Sequence, residues 1–214
     1  DHNEPVPLSI SVGYAIKEEK RRTIEEFLKI TEERMYRKKL DEGPLNRQKT
    51  LDYLEKVLEK ISRENGKQIE GLNSLSKAFA NELGLTDHEQ DQLNLLVRFH
   101  DLGKITIPQD IIDKNTELTS EEWESIKKHS EIGYRIANSS PELAPIAESI
   151  LAHHERWDGR GYPQNLEGEK IPLLARILAI VEAYDVMRRG SRYKLPLTEE
   201  QAYQEIKTQS GNQF

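Results

Sequence analysis

The chain opens on an alternation: Leu8, Ile10, Val12 and Tyr14 are separated by small or polar residues, the period of a half-buried strand. No second strand pattern of that quality follows, so this strand has no sheet of its own to join. From about residue 23 to 40 the period lengthens, with Ile24, Phe27, Leu28, Met35 and Tyr36 broadly on one side of a helix. A lone strand followed by a helix reads as the end of a larger α/β domain, because unpaired strands are unstable. The first residue, Asp1 rather than Met, agrees with a chain cut from a longer one. Asp41-Glu42-Gly43-Pro44 then breaks the pattern. Residues 1–41 are therefore expected to be a remnant, and 45–214 a separate body.

That body reads as all-α. Leu51, Leu54, Leu58 and Ile61 form an apolar stripe at spacings of three and four, and Leu72, Leu75, Phe79 and Leu83 form another. The second helix is expected to end at Gly84. Thr86 with Glu89, Thr119 with Glu122 and Thr198 with Gln201 have the capping-box spacing that satisfies the free N–H groups at a helix start. Helices are predicted near 87–101, 120–137, 141–156, 172–189 and 198–208. Asp158-Gly159-Arg160-Gly161-Tyr162-Pro163 must be a loop, with two Gly and a Pro so close together.

Composition narrows the function classes. Of 214 residues, 36% are apolar and 32% charged, enough to bury one core. No apolar run reaches the length of a membrane span and no signal peptide opens the chain, so membrane contact by this fragment is not expected. A net charge of -7 disfavours a sequence-independent grip on DNA or RNA. It leaves room for a small phosphorylated ligand met by a local basic patch. Cysteine is absent, so any metal site must use His, Asp and Glu.

Six His occur. His2 and His88 lie in polar surroundings. His100-Asp101 ends the apolar run Leu95-Leu96-Val97-Arg98-Phe99, and a carboxylate buried there needs a cation or hydrogen bonds. A metal supplies the cation; an ion pair or a cap is the plainer alternative. His153-His154 follows Ile150-Leu151-Ala152. Adjacent imidazoles repel once both are protonated, which favours the neutral, metal-binding form. Glu182 interrupts Ile177-Leu178-Ala179-Ile180-Val181 and either wants a partner or faces solvent. With His129, these groups make a nitrogen-and-oxygen donor set suited to iron, manganese, zinc or similar ions, more than one if Asp101 bridges. Paired metals are a known device for phosphoryl chemistry.

Phe99-His100-Asp101-Leu102-Gly103-Lys104-Ile105 resembles the signature of the HD superfamily of metal-dependent phosphohydrolases. His153-His154-Glu155-Arg156-Trp157-Asp158-Gly159-Arg160-Gly161-Tyr162-Pro163 resembles the second signature of its HD-GYP branch, as do the segment 118–136 and the ending Gly211-Asn212-Gln213-Phe214. Ser9-Ile10-Ser11-Val12-Gly13-Tyr14 and Glu33-Arg34-Met35-Tyr36-Arg37-Lys38-Lys39 resemble the last strand and helix of a GGDEF domain, without the GGDEF motif itself. The resemblance implies an all-α helical bundle that hydrolyses cyclic di-GMP to pGpG, and in some members onward to GMP. It makes His100, Asp101, His129, His153 and His154 metal ligands, with Asp101 the bridge. Glu64 matches a carboxylate that some members use. Lys104 would contact the scissile phosphate and stabilise transition-state charge, Tyr162 would line the substrate wall, and Lys194 would face the phosphates.

The departures bear on turnover. Gln68 stands where the family has a His ligand, and Glu182 where it has an Asp. Arg188-Arg189-Gly190-Ser191-Arg192-Tyr193 replaces a Thr-Ser-Asp-Arg-Pro-Tyr run, putting Ser191 at the phosphate-binding Arg position with Arg192 beside it. Arg188, Arg189, Arg192 and Lys194 form a basic cluster that either faces phosphates or is a solvated helix end. One metal position looks intact and its neighbour weakened. The expected cofactor is one or two divalent transition ions, iron or manganese before zinc or nickel. Three functions fit: a cyclic di-GMP phosphodiesterase, a degenerate HD-GYP module that binds without turnover, and an HD phosphohydrolase for another nucleotide. The Gly161-Tyr162-Pro163 motif argues against the third. The resemblance also implies GGDEF or sensory domains in cis or in trans as partners, leaves a homodimer open, and places the protein in the cytoplasm.

Overall fold

The computed structural model describes Thr31 and residues 49–61, 66–190 and 195–214. The predicted strand at 8–14, the helix over 23–40 apart from Thr31, the 41–44 linker, Glu64, Ser191, Arg192 and Lys194 lie outside the described residues, as does the side chain of Gln68. The chain divides into two compact units, Asp1–Leu54 and Glu55–Phe214, and the second carries every site residue discussed below.

The described residues are helical and contain no strand, as the patterning predicts. In chain order they are α1 (49–61), α2 (Gly66–Glu82), α3 (Asp87–Phe99), a 3-10 turn (Leu102–Thr106), α4 (Gln109–Ile112), α5 (Ser120–Lys127) and α6 (His129–Asn138), then a 3-10 turn at Ala144–Ile146, α7 (Ala147–Ala152), a 3-10 turn at Gly168–Lys170, α8 (Leu173–Arg189) and α9 (Glu199–Thr208). All three capping boxes form, each with its threonine side chain accepting from the third helical N–H and the Glu or Gln reaching back. Gly84 ends α2 with φ +68, a conformation that costs glycine little.

α8 is the central element. Leu174, Ala175, Ile177, Leu178 and Val181 are all buried on it, and it packs on α2, α3, α7 and α9. α3 supplies Leu93, Leu96, Val97 and Phe99, and the α7 region Ile146 and Ile150. Fully burying side chains of this kind contributes about 1.5–3 kcal/mol each before the entropy of ordering them is subtracted.

Three expectations need correction. The predicted helix over 120–137 is two helices, because the chain turns at Lys128 between α5 and α6. The predicted helix over 141–156 shrinks to α7, with turns and a Pro145-containing 3-10 turn before it and His153 closing it. Pro has no N–H to give a helix interior. On α2 the buried face is Ile69, Leu72, Ser76 and Ala80, while Phe79 and Leu83 are exposed; the stripe read from apolar residues alone is rotated from the face that packs.

Candidate metal centre

One local device recurs at three helix ends. His100 closes α3, His129 stands where α5 gives way to α6, and His153 closes α7. In each, ring Nδ1 lies within hydrogen-bond distance of the carbonyl three residues back: Val97 at 3.0 Å, Ile126 at 2.6 Å and Ile150 at 2.6 Å. A carbonyl only accepts, so each Nδ1 carries the proton and each Nε2 keeps its lone pair. A backbone acceptor on one ring nitrogen fixes the tautomer of a ligating histidine in the same way. Helix termini have carbonyls without an intrahelical partner, which is why the device sits there.

Two glycines let these ends meet. A Cβ on Gly103 would lie 1.9 Å from the His129 carbonyl oxygen and 2.7 Å from the Gly133 amide nitrogen; one on Gly133 would lie 2.9 Å from the Ile150 side chain. The 3-10 turn after Asp101 is thereby pressed against the start of α6, and α6 against α7. His129 and His153 face each other, Nε2 to Nε2, at 3.2 Å. His154 packs 4.0 Å from the His153 ring and 5.0 Å from that of His129, centroid to centroid. Among the described residues, His129, His153 and His154 are the group whose ligand atoms all fall within 4.8 Å of one another. Asp101 turns Oδ1 towards His129 at 3.6 Å and Oδ2 towards His100 at 3.7 Å.

With the proton of both rings on Nδ1, the Nε2 pair of His129 and His153 is two lone pairs facing each other, not a hydrogen bond. That arrangement is repulsive unless a cation lies between them. Two imidazole nitrogens held about 2.1 Å from one ion stand about 3.0–3.4 Å apart, and the observed separation falls in that range. The donor set therefore fits a divalent ion with borderline-soft nitrogen preference.

The electrostatics agree. Burial pushes the pKa of His129 down against the pull of Asp101. Burial, with His154, His100 and His129 adding, holds His153 well below its ordinary value. His154 is pushed down to about 3, again by burial first. These three rings are neutral at pH 7. Asp101 is the reverse case: burial alone would raise its pKa, but Lys104 and the surrounding imidazoles outweigh burial and hold the carboxyl far below the carboxylate range. Two of those rings, His129 and His153, are themselves neutral, so the cation that counts is the Lys104 ammonium, 2.5 Å from Asp101 Oδ2.

The rim is built by the loop after α7. Glu155 is buried, and its carboxylate accepts from the amides of Gln164 at 2.6 Å and Leu166 at 3.0 Å. A Cβ on Gly161 would lie 2.4 Å from Glu155 Cα. The loop is so folded back that Tyr162 lies over His154, with centroids 4.8 Å apart and planes tilted by 32°. Sequence reading missed Glu155 as the residue that shapes this loop; a charged residue directly after two histidines and before a Gly-rich loop was the available signal.

Of the predicted site residues, the fold gathers His100, Asp101, Lys104, His129, His153, His154 and Tyr162. Glu182, on α8, lines a cavity of about 700 Å³ together with His153 and His154. Burial pushes its pKa up, with His100 opposing and Asp101 adding. Its carboxylate is outside the three-imidazole group.

Imidazoles and a carboxylate from separate helix ends thus converge beside a lysine as a candidate metal centre. Residues 51–214 match the HD domain family (HD_5), and the chain belongs to that family. It is 37% identical over 163 residues to the 3'3'-cGAMP-specific phosphodiesterase 2 of Vibrio cholerae serotype O1, covering 75% of this chain and 31% of that protein. It is 37% identical over 166 residues to a cyclic di-GMP phosphodiesterase of Thermotoga maritima, covering 77% of this chain and 45% of that one. The chain thus spans less than half the length of these relatives. The fold is also that of a cyclic GMP-AMP specific phosphodiesterase of V. cholerae, V-cGAP3, with a TM-score of 0.57 at 19% identity over 75% of this chain and 44% of that one.

Proposed function

We propose that this domain is a metal-dependent phosphodiesterase that hydrolyses cyclic di-GMP to pGpG and onward to GMP. The observation that carries it is the convergence of the His129, His153 and His154 nitrogens on one point beside Asp101 and Lys104. In this reading His129, His153, His154 and Asp101 hold one divalent ion, iron or manganese, and Asp101 bridges towards a second position bordered by His100 and Glu182. Glu64 and the amide of Gln68 would complete that second position. Such an ion supplies Lewis acidity towards phosphoryl oxygens and an activated water. Lys104 holds positive charge where the phosphoryl oxygens gain negative charge. Asp101 stays ionised to keep that ammonium in place, and Tyr162 walls the site above His154; Arg192 and Lys194, outside the described residues, are assigned to the substrate phosphates on the sequence resemblance. Residues 1–41 belong, in the same reading, to the end of a GGDEF-like domain of a cytoplasmic signalling protein.

A second reading is favoured by Gln68, whose neutral amide is a weaker donor than an imidazole, and by Glu182 lying outside the close donor group. On it the domain binds a cyclic dinucleotide without turning it over. Anaerobic reconstitution with Fe²⁺ or Mn²⁺, followed by incubation with cyclic di-GMP and, separately, 3'3'-cGAMP, tests both. Release of pGpG that is lost in His100→Ala supports the enzyme. Saturable binding with no product in wild type supports the module. Faster turnover of cGAMP would replace the substrate.

A further inference from the structure

α5 has the sequence Ser-Glu-Glu-Trp-Glu-Ser-Ile-Lys and no buried residue. In the middle of this acidic helix Trp123 leaves 45% of its surface exposed. Nothing in the helix calls for an indole there: the capping box at Thr119 is complete without it, and alanine has the higher helix propensity. Large aromatic side chains are usually covered, since their burial is worth more than that of any other residue.

The ring's position is specific. Trp123 meets Tyr162 edge to face, with centroids 6.3 Å apart and planes at 78°. Tyr162 in turn lies over His154, one of the three converging imidazoles. The three rings form a ladder running outward from the candidate metal centre. An edge-to-face contact covers at most one face of either ring, so Trp123 keeps a face for a further planar group. One turn along α5, the Lys127 ammonium lies 6.0 Å from the Tyr162 ring centroid, while also pairing with Glu124 at 2.6 Å. The cation lies within reach of the tyrosine ring with its charge shared with Glu124.

We infer that Trp123 is a base-stacking platform: when a cyclic dinucleotide is bound with a phosphate at the centre, one purine lies on the exposed indole face beyond Tyr162. This rests on the reading of the substrate class above and adds to it a specificity residue that reaches the base, not the reacting phosphate. Purines stack on indole irrespective of their hydrogen-bonding edges. The platform therefore selects for a purine dinucleotide over a base-free phosphodiester, and does not separate guanine from adenine.

The chain has two tryptophans. The other, Trp157, packs against Arg176 and beneath Gly168, so Trp157→Phe leaves one reporter indole at the proposed platform. Cyclic di-GMP should quench the fluorescence of Trp157→Phe saturably, in metal-free protein. In Trp123→Phe the remaining indole should not respond. By equilibrium binding, Trp123→Ala should weaken cyclic di-GMP about tenfold and Trp123→Phe should recover most of that loss. In turnover the alanine change should raise KM with kcat within about twofold. Equal binding by Trp123→Ala and wild type, or quenching that persists in Trp123→Phe alone, would overturn the platform. Wild-type quenching without hydrolysis would leave the platform standing and remove the enzymatic reading; hydrolysis with an unchanged KM in Trp123→Ala would do the opposite.

Discussion

The two walls of the candidate centre are built on different principles. On one, α6, α7 and the 3-10 turn bring backbones together at Gly103 and Gly133, and every imidazole whose Nδ1 meets a carbonyl is oriented by its own helix end. On the other, α8 is a helix packed through aliphatic side chains, and Glu182 reaches the cavity on a flexible stem of two methylenes. The first wall fixes nitrogen positions through the backbone, to within the tolerance an ion requires. The second fixes only a helix and leaves the carboxylate its rotamers. An intact nitrogen set beside a looser oxygen donor is what this difference produces.

The largest effect expected from testing this contrast is at Gly103. Its Cβ has no room against the His129 carbonyl, so Gly103→Ala must move backbone. We expect a loss of at least about 3 kcal/mol in urea unfolding, or no folded protein. Gly71, an exposed α2 position with nothing within 4 Å of a built Cβ, is the control: Gly71→Ala should gain up to about 1 kcal/mol from helix propensity. Equal stability of the two variants would mean that the helix ends do not meet as described.

Next in size is the contrast between donors. His153→Ala should empty the three-imidazole position, measured as metal per chain by elemental analysis, and lower any phosphodiesterase rate by 100-fold or more. Glu182→Ala should keep more than half of the metal and cost about tenfold in rate, within the range seen when supporting groups of metal sites are removed. If Glu182→Ala empties the protein as fully as His153→Ala, the walls act as one joint centre and the distinction between them fails.

How much of this was legible in the sequence follows the same divide. His100, Asp101, His153 and His154 could be picked out, because a His-Asp pair at the end of an apolar helix and a doubled His are chemically unusual in a core; the roles of His129 and Lys104 came through the resemblance to the HD superfamily. The capping boxes could also be read, since they are local hydrogen-bond patterns between residues three apart. What was not legible is everything that depends on two segments meeting. The break at Lys128 comes with the His129 ring taking the Ile126 carbonyl, and periodicity does not register a side chain competing for the backbone. Gly103 and Gly133 are thirty residues apart, and neither alone signals a crossing. On α2 the packed face runs through Ser76 and Ala80 in place of Phe79 and Leu83, because small residues are what a close helix neighbour admits. Trp123 carries no signal in the sequence that sets it apart; its exposure and its contact with Tyr162 belong to the fold.

The smallest effect distinguishes the walls by the sign of their pH dependence. The pKa values of His129, His153 and His154 lie below their ordinary values in the folded chain. Below about pH 6.5 the unfolded chain binds protons that the native imidazoles refuse, so stability falls as pH falls. Between pH 7.5 and 5.5 this costs metal-free protein up to about 1.4 kcal/mol for each such group. The pKa of Glu182 is raised by burial. Between the ordinary glutamate value and its own folded value the native state holds the extra proton, so its contribution has the opposite sign and offsets part of the acid loss. Metal-free wild type should therefore melt several degrees lower at pH 5.5 than at pH 7.5, and Glu182→Gln should make that drop steeper by a degree or two. A melting temperature that does not fall on acidification would mean that the imidazoles take up protons in the folded chain as readily as in the unfolded one, and so are not buried together. A Glu182→Gln profile parallel to wild type would place the carboxylate in water, and the α8 wall would then contribute shape to the cavity without contributing a donor.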